Sequence, residues 1–170
     1  MITRRTFCSA AASLGLLGTS NAQAAPLAKP DGAIILTISG RIGVTNAGDT
    51  AVFDRAMLEA LGMISFRTHT PWYSEPTTFE GVPMTVLMQC VEAKGQTLTT
   101  TALSDYCAET PIADLARYHP ILALKRDGQY LEIRDKGPLF LVYPFDSAAE
   151  LQSQRFYSQS TWQIVAMSIE

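Results

Sequence analysis

The pattern of apolar and polar positions predicts strands interspersed irregularly with short helices. β-Branched residues favour a strand over 33–42, and residues 63–70 alternate with the period of a half-buried strand that ends at Pro71. Further strands are predicted at 96–104, on both sides of a turn within 121–135, and at 137–146 and 162–170. Because no regular strand–helix–strand unit recurs, the sequence predicts a mixed α+β fold that is rich in β-strand.

Three segments predict helices. Residues 49–62 place apolar side chains on one face, with Asp49 or Thr50 as the N-cap and Gly62 as the terminator. FEGV reads as a turn that leads into a second helix over 83–95, where the proline occupies the first helical position. Prolines also bound the third helix, over 111–120.

The first 24 residues have the pattern of a twin-arginine-type signal peptide. Arg4 and Arg5 precede a short apolar run, and AQA at 22–24 supplies a small-residue cleavage site. The run is shorter than the roughly 20 apolar residues that a membrane-spanning helix needs. The sequence therefore predicts export to the periplasm and a single domain over 25–170, with no transmembrane segment after cleavage.

Composition fits this single domain and narrows its partners. The chain has 170 residues, 47% of them apolar, enough to bury a core without disulfides or metal. Cleavage after residue 24 reduces the 13 basic residues to 11, against 16 acidic ones, so the formal charge falls to −5. Nucleic acid and anionic membranes are therefore poor partners.

The motifs of several common site classes are missing from the sequence. His69 and His119 lie 50 residues apart, and Cys90 and Cys107 lie 17 apart, so neither pair has the spacing of a zinc site. The two cysteines are either buried free thiols or, in an oxidising compartment, a disulfide. Without a P-loop, a G-x-G-x-x-G or a G-x-S-x-G motif, nucleotide-binding and hydrolase functions lose support.

Several motifs, in one order along the chain, carry a family resemblance. THTPW, FEGVPM, ALSDYCAETP, RDGQYLEIRDKGPLFLVYP and WQIVAMSIE, within residues 33–170, resemble small exported members of the sulfite oxidase-like molybdopterin-binding oxidoreductase family. The resemblance implies the fold of the sulfite oxidase molybdopterin-binding domain and a pterin or molybdopterin-like ligand. In the enzymes of the family, a cysteine that would fall within Arg67–Thr70 ligates molybdenum, and this chain has none there. Molybdenum is therefore not expected.

Because it lacks the molybdenum-ligating cysteine, the chain resembles the periplasmic pterin-binding regulators of the family. The resemblance implies that such a protein signals pterin occupancy to a membrane-bound diguanylate cyclase or phosphodiesterase, and that it has no catalytic residue or metal ligand of its own. The alternative is a periplasmic subunit of a molybdopterin-dependent oxidoreductase. A scaffold with an empty pocket is a third possibility.

The matching loops supply candidate residues for a pterin pocket. A carboxylate can accept hydrogen bonds from the amino group and ring N–H of a pterin, and Asp105 is the candidate for that role. Aromatic residues can stack on the ring, and cations, hydroxyls and backbone donors can hold its carbonyl and tail. The predicted binding residues are Arg67, Thr68, Thr70, Trp72, Asp105, Tyr106, Lys136 and Gly137.

Each of these roles has a structural alternative. Trp72 could pack in the core, Asp105 could cap a turn, and Lys136 could be a solvated loop residue. His69 has no visible acid partner in the sequence, so we interpret it as a structural residue.

Overall fold

The computed structural model describes residues 27–170, so the predicted signal peptide over 1–24 lies outside the described residues. The strands are β1 (Leu36–Gly40), β2 (Ala51–Phe53), β3 (Ile64–Thr70), β4 (Tyr73–Pro83), β5 (Thr97–Ala102), β6 (Cys107–Pro111), β7 (Ile121–Arg126), β8 (Gln129–Tyr130), β9 (Phe140–Val142) and β10 (Ile164–Ile169). The α-helices are α1 (Arg55–Ala60), α2 (Met84–Cys90), α3 (Ile112–Tyr118) and α4 (Gln154–Gln159). The β-rich α+β class is therefore confirmed.

The strands form two five-stranded sheets. The first has the order β2-β1-β10-β5-β6, in which β1 and β10 are parallel and the other pairs are antiparallel. The second has the order β3-β4-β7-β8, with β9 also paired to β7. The strand that comes last in sequence thus lies at the centre of the first sheet.

Two clusters of buried side chains stabilise the sheets. The larger one is aliphatic and joins the first sheet to α1 and α2, with Leu36, Ile38, Leu98 and Met167 among its members. The smaller one is mainly aromatic and lies against the second sheet; its rings are Phe79, Tyr118, Phe140, Tyr143, Phe145 and Phe156. Trp72 packs at the border of this aromatic cluster, which therefore adjoins the predicted pocket.

The helix predicted over 49–62 is only partly correct. Residues 51–53 form β2, because they pair with β1 and are fully or almost fully buried. The N-cap is Asp54 and not Asp49 or Thr50: its Oδ1 accepts from the Met57 N–H at 2.8 Å, and its Oδ2 accepts from the Gly32 N–H at 2.7 Å. The same carboxylate therefore starts α1 and holds the segment before β1.

Four further elements differ from the sequence prediction. FEGV is not a turn, because it belongs to the eleven-residue strand β4, which pairs with β3 on one side and β7 on the other. β6 and α4 were also not predicted. The second helix is shorter than expected and ends at Cys90. Cys90 and Cys107 are both free thiols.

Candidate functional site

One cavity of the described residues has aromatic walls. Its volume is about 500 Å³, within the usual range for small-molecule sites. We call it the aromatic cavity, and its lining residues are Pro71, Trp72, Ala102, Ser104, Tyr106, Gln154, Tyr157, Ser158, Ser160, Thr161 and Trp162. None of these side chains carries a charge, so the cavity suits an uncharged, planar group with a hydrogen-bonding edge.

Trp72 is the central aromatic residue of this cavity. Its ring makes edge-to-face contacts with Trp162 at 5.6 Å and Tyr157 at 6.2 Å, which also line the cavity. It makes the same kind of contact with the buried rings of Phe140 at 5.3 Å and Phe145 at 6.0 Å. These contacts hold the indole at a fixed angle, because edge-to-face packing is the favoured geometry for such pairs.

The polar lining groups come from the turn between β5 and β6 and from the segment around α4. The Tyr106 hydroxyl donates to the Ser158 carbonyl at 3.0 Å, which fixes the ring of Tyr106 across the cavity from α4. The Thr161 hydroxyl is buried and forms a hydrogen bond with the Thr100 hydroxyl at 2.9 Å, so it is held in place at the cavity wall. The Ser104 hydroxyl is a further possible partner.

A second, smaller cavity shares the wall residues Pro71 and Tyr157 with the first and therefore adjoins it. Its volume is about 290 Å³. We call it the polar compartment, and it is lined by His69, Thr70, Pro71, Phe145, Asp146, Gln152 and Tyr157.

His69 and Asp146 are hydrogen-bonded to each other in the polar compartment. The Asp146 Oδ2 accepts from the His69 backbone N–H at 2.8 Å and contacts the His69 Nδ1 at 3.0 Å. The Asp146 N–H in turn donates to the Thr68 hydroxyl at 3.1 Å. The hydrogen bond from the His69 backbone N–H is the main cause that lowers the pKa of Asp146 below its usual value, so the carboxylate is ionised at neutral pH. His69 thus has an acid partner, 77 residues away in sequence.

Three of the eight predicted binding residues line these cavities. Trp72 and Tyr106 lie in the aromatic cavity, and Thr70 lies in the polar compartment, where its buried hydroxyl has no hydrogen-bond partner within residues 27–170. Lys136 lies beside the site: its Nζ is 4.6 Å from the centre of the Trp162 ring. It therefore contacts a cavity wall from the outer side.

The other four predicted residues do not line either cavity. Arg67 is exposed, and its Nε donates to the Pro76 carbonyl at 3.1 Å. Thr68 is buried and holds the backbone of Asp146. Asp105 is an exposed turn residue with a φ of 62°. Gly137 is buried, and its N–H donates to the Glu132 carbonyl at 2.8 Å, so this amide is not available to a ligand.

Sequence reasoning did not identify the contribution of the α4 region. Tyr157 and Trp162 complete the aromatic cavity, and the segment YSQSTW, residues 157–162, contains both of them with the hydroxyls between them. The sequence signal that could identify this region is an aromatic residue at each end of a run of small polar residues. The apolar pattern of the sequence places Trp162 only at the start of the last predicted strand.

Within residues 27–170, the linings of the two cavities do not match a complete molybdenum cofactor. A thiolate ligand and a cation for a phosphate are missing from both linings within residues 27–170. Burial raises the pKa of the Cys90 thiol, which makes it a poor thiolate donor. No group of three potential metal-ligating side chains occurs in the described part of the chain. The residues present therefore do not match the metal and phosphate portions of the cofactor.

Comparisons with known proteins relate the chain to others by structure. No protein-family model matches the chain, and no curated protein matches it. The crystal structure of the sulfane dehydrogenase SoxCD from Paracoccus pantotrophus superimposes with a TM-score of 0.60 at 17% sequence identity, over 79% of this chain. The chain spans only 37% of the length of that dehydrogenase chain. The likeness supports the fold relationship to the sulfite oxidase-like domain that the motifs predicted, and it extends to the fold alone.

Proposed function

We propose that this protein binds a pterin in the aromatic cavity and acts as a binding protein without molybdenum redox chemistry. The observation that carries the proposal is a cavity of about 500 Å³ with four aromatic walls, uncharged hydrogen-bonding groups and no ionised lining side chain. A pterin is planar and uncharged at neutral pH, and its ring edge carries donors and acceptors. Stacking on aromatic walls and hydrogen bonds to fixed hydroxyls are the interactions that such a ring requires.

The chain provides a direct optical assay for this proposal. Its two tryptophans, Trp72 and Trp162, both line the aromatic cavity, so any occupant should change the intrinsic fluorescence. We expect quenching that saturates when a pterin is titrated into the purified protein. Elemental analysis of the same preparation should show less than stoichiometric molybdenum. Absence of quenching would contradict pterin binding, and stoichiometric molybdenum would favour the oxidoreductase.

Tyr106→Ala should weaken pterin binding about 2- to 12-fold, because a stacked aromatic pair contributes about 0.5–1.5 kcal/mol beyond the area it buries. The ring is 49% exposed, so this substitution should leave the fold intact. Tyr106→Phe is the matched control: it keeps the ring and removes only the hydrogen bond to the Ser158 carbonyl. We expect its dissociation constant to remain within about twofold of the wild-type value. Equal affinity of the alanine variant would exclude Tyr106 from the site.

The proposal extends to export and signalling. The N-terminal sequence pattern supports a periplasmic protein, and the motif resemblance supports a membrane-bound diguanylate cyclase or phosphodiesterase as the partner that responds to pterin occupancy. Exposed apolar side chains near the aromatic cavity offer such a partner a surface. Gln163 links two of them: its carbonyl accepts from the Leu103 N–H at 2.9 Å, and its side chain donates to the Ile133 carbonyl at 2.6 Å. Leu103 and Ile133 are exposed, and Gln163, which contacts both, directly follows Trp162, which is 38% exposed.

Export can be examined independently of binding. We expect the protein to appear in the periplasmic fraction, shortened at its N-terminus, and to remain in the cytoplasm when Arg4 and Arg5 are both replaced by lysine. Within residues 27–170, no helix is long and apolar enough to cross a membrane.

A further inference from the structure

The carboxylate of Asp146 is fixed through one oxygen only. Its Oδ2 contacts two groups of His69: the backbone N–H at 2.8 Å and the ring Nδ1 at 3.0 Å. Both of these contacts lie at Oδ2, and the Asp146 side chain is 41% exposed, so Oδ1 remains accessible. A carboxylate oxygen with free lone pairs in a lined cavity is an acceptor for a ligand. The backbone of Asp146 is fixed as well, by Thr68, so this acceptor is held in place.

The other polar groups that line the polar compartment are the His69 imidazole, the Gln152 amide and the hydroxyls of Thr70 and Tyr157. An ionised carboxylate can only accept, so the Nδ1 of His69 carries a proton and donates it to Asp146. The Gln152 side chain donates to the Phe145 carbonyl at 3.4 Å, which directs its amide NH₂ into the protein. With one carboxylate and no lysine or arginine among its lining residues, the polar compartment favours a donor group and disfavours a phosphate.

The polar compartment, which Asp146 lines, adjoins the aromatic cavity. The two cavities share Pro71 and Tyr157, and the neighbouring residue, Phe145, packs against the rings of both Trp72 and Tyr157 at 6.0 and 5.3 Å. A bicyclic ring stacked beside Trp72 and Tyr157 can therefore extend one edge past Pro71 toward Oδ1.

We propose that Asp146, held in place by His69 and Thr68, recognises the exocyclic amino group of the ligand and so selects 2-amino heterocycles over their 2-oxo analogues. This inference rests on the proposed function and specifies which edge of the ring enters the polar compartment. It assigns to Asp146 the role that the sequence suggested for Asp105. Asp105 lines neither cavity, whereas Asp146 lines the polar compartment with a free acceptor oxygen.

The proposal is tested with two ring systems of the same shape. Pterin has an amino group at position 2, and lumazine has a carbonyl there, which would face the carboxylate with a second acceptor. We expect tryptophan quenching to show that the wild-type protein binds pterin at least about 10-fold more tightly than lumazine, the lower end for a hydrogen bond to a charged group. Asp146→Asn should weaken pterin binding about 10-fold and reduce the preference.

Asp105→Asn is the matched control, because it makes the same chemical change at an exposed turn. Its affinities for both rings should stay within about twofold of wild type. Thermal unfolding of each variant checks the fold, and the preference of the wild-type protein tests the proposal even if Asp146→Asn does not fold. Equal binding of the two rings by the wild-type protein would overturn this inference and leave the proposed function intact. No quenching by either ring would overturn the proposed function itself.

Discussion

Phe140→Ala should lower the free energy of unfolding by about 3–5 kcal/mol, the usual cost of removing a buried phenylalanine side chain. Phe140 is fully buried on β9, and its ring meets Phe79 at 5.8 Å, Trp72 at 5.3 Å and Trp162 at 6.2 Å. The substitution removes the group that supports both tryptophans of the aromatic cavity from behind. Urea unfolding followed by circular dichroism measures the loss.

The same variant should also change the environment of the cavity. Without the Phe140 ring, both indoles lose an edge-to-face partner, so the fluorescence of the folded variant should shift to longer wavelength. Phe140→Leu is the control, since it keeps most of the buried apolar volume and should lose considerably less stability. A free energy of unfolding for Phe140→Ala within about 1 kcal/mol of wild type would contradict the packing described here.

Gly137→Ala should destabilise the fold by about 1–3 kcal/mol or more, because there is no room for a methyl group at this position. A Cβ on Gly137 would overlap the Leu131 carbonyl and lie 2.9 Å from the carbonyl carbon of Glu132. Both are backbone atoms, which cannot give way as the end of a flexible side chain can. The loop 132–138 would have to shift, and Lys136, whose ammonium group lies over Trp162, would move with it.

A second glycine provides the comparison for this substitution. In Gly32→Ala the atom nearest to the new methyl group would be the Asp54 Oδ2 at 3.3 Å, so a shift of a few tenths of an ångström would be enough to accommodate it. We expect its urea midpoint to fall by less than that of Gly137→Ala. If the two variants lost equal stability, the tight approach of Gly137 to Leu131 would not be the cause. The amide of Gly137 already donates to the Glu132 carbonyl, so Gly137 has a structural role here and does not offer this N–H to a ligand.

The sequence predicted those strands in which buried and more exposed side chains alternate over a few consecutive residues. In β5 the half-buried threonines at 97, 99 and 101 alternate with buried residues, so the period of two is visible locally, whereas in β10 the alternation begins only at Met167. β4 was missed because Pro76 and Pro83 lie within it and its sequence is polar. Its pairing with β3 and β7 makes it a strand, and this pairing is a tertiary property that no local window contains.

Only two wall residues of the aromatic cavity, Trp72 and Tyr106, could be predicted as binding residues from the sequence. Trp72 and Tyr106 belong to quoted motifs and line the aromatic cavity, but Trp162 lies 90 residues beyond Trp72, and only the fold brings the two rings together. Asp146 could not be predicted as a site residue for the same reason. It follows a buried strand in a run flanked by prolines, and its contact with His69 depends on how the turn at 145–147 packs against β3.

The central position of β10 determines when the first sheet can be completed during synthesis. β1 and β5 are both made long before β10, yet each needs β10 as its neighbour, and the register joins Thr37 to Ala166 across most of the chain. Until residues 164–169 have left the ribosome, the buried faces of β1 and β5 lack a partner. Leu36, Ile38 and Leu98, which are buried in the folded chain, therefore lie in an incomplete sheet until β10 has been made, so we expect this sheet to close late in folding.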